Sequence, residues 1–143
     1  MSAIELFSDL LELDTSMLAP KEMVILEADL CTLICDELKE VYRRRYRNYF
    51  RLFNFNKEKE NHMIETHFIR FIINDILSTH EYDSKGIAYY TDSSEDVVEE
   101  LATGCNTNPS ISLFHKIIVL HRSVRRGLYD YIRDKIKARY LVS

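Results

Sequence analysis

The side chains best suited to metal binding or proton transfer are His62, His67, His80, His115 and His121, with the thiols of Cys31, Cys35 and Cys105. Their spacing builds no site. Cys31 and Cys35 stand one helical turn apart, but no second pair or nearby histidine completes a zinc set. His115 and His121 lie about 240° apart around a helix and so face different ways. No glycine-rich phosphate loop or nucleophile elbow occurs. The expectation is a protein that is not an enzyme and uses no cofactor or metal. Its cysteines are expected buried and reduced in the cytoplasm, and His121 is expected to be a partly buried helix residue.

Two charged constellations carry more. In YRRRYRNYFR, residues 42–51, a helix would stack Arg43, Arg47 and Arg51 on one face with Arg44 beside them, and gather Tyr42, Tyr46, Tyr49 and Phe53 on another. Such a face can track phosphates beside stacking aromatics. It can equally be a solvated face paired with acidic residues 1–40 above an aromatic core. Arg122, Arg125 and Arg126, in LHRSVRRGL, form a second basic patch. The opposite constellation is EDVVEE, with Glu95, Asp96, Glu99 and Glu100. The first two suit the positive end of a helix dipole, an explanation that does not reach Glu99 and Glu100. The net charge of −4 hides a partition: −8 over residues 1–40, +5 over 41–60, −7 over 61–114 and +6 over 115–143. Blocks of alternating sign predict internal pairing, self-association or a localised basic face.

The elements that must position these groups read as helices. Three Gly and two Pro in 143 residues leave too little turn chemistry for an all-β chain. Ile4, Phe7, Leu10 and Leu11 mark a short helix over about residues 3–13. A long helix follows from about Lys21 to Asn54, with Met23, Leu26, Leu30, Leu33, Ile34, Leu38, Val41 and Leu52 on its apolar stripe. At 1.5 Å per residue it would reach about 50 Å, so it either bends back near NYFRLFNFN or projects as an arm. Ile64, Phe68, Phe71, Ile72, Ile76 and Leu77 form the next stripe, ending near His80. Asp83 is a candidate N-cap for SKGIAYY, Ser94 or Ser93 for EDVVEELA, and Gly104 a C-terminal stop. Ser110 caps a last helical region to about Tyr140, with Gly127 as its expected division. No apolar run approaches the roughly 18 residues of a membrane span, and the N-terminal MSAIELFSDLLELD is acidic where a signal peptide would be basic.

Taken together, GIAYYTDSSEDVVEELATGCNTNPSISLFHKII resembles the Xre family of Cro- and lambda-repressor-like helix-turn-helix proteins. Ala88 and Thr91 match the family's Ala and Thr, Ser94 its capping Ser, Val98 and Leu101 its buried pair, and Gly104 its stop. Asn108, Pro109 and Ser110 match the lead into its fourth helix. Asp92 stands where a turn Gly is usual, and Ser93 replaces an apolar side chain. The resemblance spans about residues 64–140. It implies an all-α, lambda-repressor-like bundle at residues 61–143; residues 1–60 lie outside it, and their own apolar pattern predicts an N-terminal helical extension containing one long helix and serving packing or dimerisation.

The resemblance further implies a homodimeric transcriptional regulator that binds double-stranded DNA. Its contacts would come from Ser84, Lys85, Ser93, Ser94, Glu95, Asp96, Glu99, Asn106 and Asn108, with Arg43, Arg44, Arg47, Arg51, Arg122, Arg125 and Arg126 supplying positive charge. Four carboxylates on the helix that would enter the major groove oppose ordinary DNA readout, although one could accept from cytosine N4. The alternative is a non-catalytic interaction module that presents Glu95, Asp96, Glu99 and Glu100 to a basic protein.

Overall fold

The computed structural model describes residues 6–140, and all regular structure among them is helical. The helices are α1 (Leu6–Leu10), α2 (Pro20–Arg45), α3 (Arg47–Leu52), α4 (Lys57–Thr66), α5 (Phe68–Ser78), α6 (Ser84–Thr91), α7 (Glu95–Thr103), α8 (Ile111–Val124) and α9 (Arg126–Tyr140). None is long and apolar enough to cross a membrane. Two compact units share the chain. One comprises residues up to Leu38 together with those from Arg126 on, and the other runs from Lys39 to Arg125, a division different from a single cut at residue 60.

In the first unit, α1 ends before the expected residue 13. Glu12 adopts a left-handed backbone (φ 57°), and the Leu13 N–H closes onto the Ser8 carbonyl, so the chain reverses there. Ile4 lies outside the described residues. The other end of α1 is held by Glu27 of α2, a buried carboxylate that accepts from the N–H groups of Phe7 (2.9 Å) and Ser8 (3.0 Å). Opposite charge blocks pair here as their alternation predicts. Glu37 meets Lys135 (2.8 Å) and Arg139 (3.3 Å), and Glu12 meets Lys137 (3.1 Å). These contacts draw α9 to the acidic beginning of the chain. Gly127 does not divide α8 from α9; the break falls at Arg125 (φ −129°, ψ 48°), which lies outside helical geometry. The thiols of Cys31 and Cys35 are 3.9 Å apart and unbridged, while Cys105 is exposed rather than buried because it sits in the loop beyond α7.

In the second unit the expected long helix stops short. The chain turns at Tyr46 (φ −100°, ψ 13°) and resumes as α3 in a new phase. Phe50 then points inward, and Leu52, expected on the buried stripe, is 76% exposed. The turn is fixed by aromatic stacking: Tyr46 lies 5.0 Å from Phe71, and Tyr42 lies 5.6 Å from Phe71 and 6.4 Å from Phe68. Helix α4 is started by Asn56, whose side chain accepts from Lys59 N at 2.8 Å, and it takes Ile64 from the expected stripe, which breaks at His67 before α5. Helix α5 packs against α7 and α8, and α6 against the same two. Their apolar residues, among them Ile72, Ile73, Ile76, Ile87, Val98, Leu101, Ile117, Ile118 and Leu120, are buried.

One charged group sits in this interior. Asp75 of α5 is 5% exposed, and its carboxylate accepts from His121 Nε2 at 2.7 Å and from Arg125 Nε and Nη2 at 3.1 and 3.0 Å, with Arg45 at 3.4 Å. Burial pushes this carboxyl's pKa up, but the hydrogen bonds and charges of His121 and Arg125 outweigh it and hold Asp75 well below the usual carboxylate range. Burial likewise holds His121 below the ordinary histidine value, against the pull of Asp75, so the ring is neutral near pH 7 and donates from Nε2. His121 is thus fully buried rather than partly so.

Both groups have folded-state pKa values below their ordinary 6.5 and 3.8, so the stability they contribute is complete above those values and lost as pH falls through them. Urea unfolding followed by circular dichroism should show stability level between about pH 7 and 9, a first decline below about 6.5 and a second below about 3.8. A His121→Gln variant should flatten the first decline apart from the share of His67, which burial, Arg70 and His62 also depress. At pH 7, Asp75→Ala should cost about 3 kcal/mol, because it leaves the buried His121 N–H and the half-buried Arg125 without their acceptor.

Candidate functional site

The residues expected to carry function fall on α6, α7 and the loop that follows. Asp83 caps α6, accepting from Gly86 N at 2.7 Å, and Ser94 caps α7, accepting from Val97 N at 3.2 Å. Between the two helices Asp92 takes the left-handed conformation (φ 54°, ψ 46°), with its N–H on Tyr89 O. Ser93 is half-buried and hydrogen-bonded at 2.8 Å to the buried Thr91 hydroxyl, which itself donates to Ile87 O. The polar Ser93 is therefore satisfied where an apolar side chain would otherwise be needed. Val98 and Leu101 are buried beneath α7, and Ala88 allows the close approach of α6.

Gly104 ends α7 at φ 82°, and a Cβ there would stand 3.3 Å from Arg70 Cδ and 3.4 Å from His67 Nδ1. Asn106 holds the next loop: its N–H donates to Glu100 O and its Oδ1 accepts from Asn108 N at 3.0 Å. Ser110 then caps α8 by accepting from Leu113 N at 3.1 Å.

This scaffold displays a negative face. Glu95, Asp96, Glu99 and Glu100 are all exposed, as is Asp92, and none forms an ion pair among the described residues. Lys85 is exposed at the start of α6, and Ser84 before it is half-buried. Glu95 with Glu99, and Asp96 with Glu100, are like charges one helical turn apart, an arrangement that costs an isolated helix a few tenths of a kcal/mol per pair. Beside them α6 exposes Tyr89 (91%) and Tyr90 (43%).

The basic residues do not act as one patch. Arg125 is committed to Asp75, with a further hydrogen bond to Ser78 Oγ at 3.2 Å. Arg43 is held by Glu40 and by Asn61. Arg126 belongs to the other unit. Arg44, Arg47 and Arg51 are exposed, and Arg122 half-buried, without an ion pair among the described residues. Because the chain turns at Tyr46, Arg43, Arg47 and Arg51 do not share the unbroken helical face expected of them. Asp75 and Arg45 escaped notice in the sequence, although a lone aspartate inside the apolar FIRFIINDILS was a visible signal.

Arg70, His67, Tyr46, Tyr49 and Phe71 line a cavity of about 390 Å³ that also touches Ala102 of α7. Among the described residues no three His, Cys, Asp or Glu side chains converge as metal ligands. Comparison of the chain with known protein families, with curated proteins and with solved structures gives no match.

The scaffold and the displayed charges separate experimentally. Ser94→Ala should cost about 1 kcal/mol of stability through the lost cap, and Gly104→Ala about 1–2 kcal/mol through left-handed strain. Glu99→Gln and Glu100→Gln should leave stability unchanged or slightly raised, since each removes a like-charge neighbour. Thermal unfolding of the four variants checks this.

Proposed function

We propose that this chain is a non-catalytic protein-interaction module in which α6 and α7, arranged as a helix-turn-helix of the Xre-like type, present an acidic helix to a basic protein surface in the cytoplasm. The observation that carries it is the set of four exposed α7 carboxylates without ion pairs among the described residues, beside the exposed rings of Tyr89 and Tyr90. Unpaired charges of one sign select and steer a partner of the other, and tyrosine is enriched where proteins meet. Bringing the same helix into a DNA groove would set these carboxylates among phosphates.

DNA binding as a dimeric Xre-like regulator is the second reading. It is favoured by the joint geometry of Ala88, Thr91, left-handed Asp92, Ser94, Val98, Leu101, left-handed Gly104 and Ser110, each buried, bonded or turned as such a motif requires. Phosphate contacts would then fall to Lys85, Arg44, Arg47, Arg51 and Arg122, with Ser84, Ser94, Asn106 and Asn108 donating hydrogen bonds.

A poly-arginine peptide titrated into the full chain, read by amide chemical shifts, tests the first reading. The expected perturbations centre on α6 and α7. Changing Glu95, Asp96, Glu99 and Glu100 to Lys should weaken binding about tenfold or more. Equal reversal at the exposed Asp29, Asp36, Glu58 and Glu81 should not. Equal losses from both sets would mean that net charge alone binds the peptide, and the reading would fail. Wild-type binding to duplex DNA that drops by about a thousandfold between 50 and 200 mM salt would establish the second reading instead.

A further inference from the structure

We propose that the face formed by α3 and the turn after it is the docking site for α7 of a second copy of this chain. The proposal rests on the reading of α7 as a binding helix and names its partner.

The docking segment combines exposed apolar side chains with exposed arginines. Leu52, Phe53 and Tyr49 are 76%, 55% and 48% exposed, while Phe50 alone turns inward at 1%. The exposed rings support one another: Tyr49 lies 4.8 Å from Phe53 and 6.5 Å from Phe55, and Phe53 lies 6.2 Å from Phe55. Arg44, Arg47 and Arg51 of the same segment are exposed and form no ion pair among the described residues, whereas the adjoining Arg43 and Arg45 are occupied by Glu40 and Asp75. Aromatic rings with arginines are the composition of interface hot spots.

Charge complementarity selects the occupant. The segment 41–60 carries +5, and α7 presents four carboxylates in two turns of helix. Both surfaces lie in the unit from Lys39 to Arg125, yet no ion pair among the described residues joins them within one copy. Pairing between copies satisfies both at once. It also relieves the like-charge pairs that α7 carries along its own axis. A single-stranded nucleic acid could stack on Tyr49 and Phe53 and neutralise the arginines, but it would account for α3 only and leave α7 unpartnered. Two reciprocal contacts that close about a two-fold axis give a dimer, and contacts that do not close give a growing chain.

Sedimentation velocity of the full chain at low ionic strength tests the pairing with two charge-reversed proteins, each first shown to be folded by circular dichroism. The acidic set changes Glu95, Asp96, Glu99 and Glu100 to Lys, and the basic set changes Arg44, Arg47 and Arg51 to Glu. Wild type should associate with rising concentration and dissociate as salt is added. Each variant alone should stay monomeric, and a one-to-one mixture should associate again, because each then offers the charge the other needs. A monomeric wild type at the highest concentration, association that survives either reversal, or a mixture that stays monomeric overturns the docking. Binding of an oligothymidylate to a monomeric wild type, lost on arginine reversal, overturns it in favour of nucleic acid. If docking fails while reversal at α7 still abolishes poly-arginine binding, the partner is wrong and the reading of α7 stands. If both fail, the reading of α7 falls too.

Discussion

The buried carboxylate of Asp75 constrains the unit from Lys39 to Arg125 more than any other single group. Removing an ion from water costs several kcal/mol, and only a nearly complete set of donors offsets it. His121 from α8, one edge of the Arg125 guanidinium and Arg45 at the end of α2 supply that set. Arg125 stands one helical turn beyond His121 and meets Asp75 from the same side of α8. Arg45 can reach it only if α2 crosses α5 at its last turn. The same charge acts on Tyr42, whose hydroxyl is buried without a hydrogen-bond partner and whose pKa burial and Asp75 push far above the tyrosine range. Tyr42 remains a neutral, packed ring, tilted against Phe71.

That crossing point decides what the arginine-rich segment becomes. A helix running on past Tyr46 would have kept Leu52 on the buried stripe with Leu38 and Val41. Stacking of Tyr46 on Phe71 turns the chain instead, and the phase change exchanges Leu52 for Phe50 in the interior. The aromatic residues therefore divide into two groups with different work. Tyr42, Tyr46 and Phe50 pack, while Tyr49 and Phe53 are left facing water beside unpaired arginines.

What was legible in the sequence follows the range of the interactions involved. Local signals read correctly: the caps at Asp83, Ser94 and Ser110 and the glycine stop at residue 104 depend on side chains within three or four residues of the backbone groups they satisfy. The buried pair Val98 and Leu101 was what the Xre resemblance implied, and both are buried. Long-range effects did not read. Tyr46 stacks on Phe71 and Arg125 binds Asp75, and neither partner lies in the same local window. Arg125 looked like any arginine in a basic run, and only the buried acid in α5 distinguishes it from Arg122. Helix α4 was read only at its Ile64 end, since the rest carries little apolar pattern and is set up by its Asn56 cap.

The treatment of charge differs between the parts of the chain that are internally matched and those that are not. Glu27, Glu37 and Asp75 are buried or nearly so, and each is met by cations or backbone donors. Where folding can match a charge, it has done so with close contacts. The α7 carboxylates and the α3 arginines are the opposite case: clustered by sign, exposed, and repelling their own neighbours along the helix. Solubility alone does not require such clustering, because interspersed charges keep a surface hydrated without the repulsion. A helix that keeps like charges one turn apart gives up a little stability of its own, and a partner of opposite sign restores more than was lost. On that ground the scaffold from Asp83 to Ser110 and the charges it displays are separable features, the first held by caps, turns and buried side chains and the second costing a little of that stability.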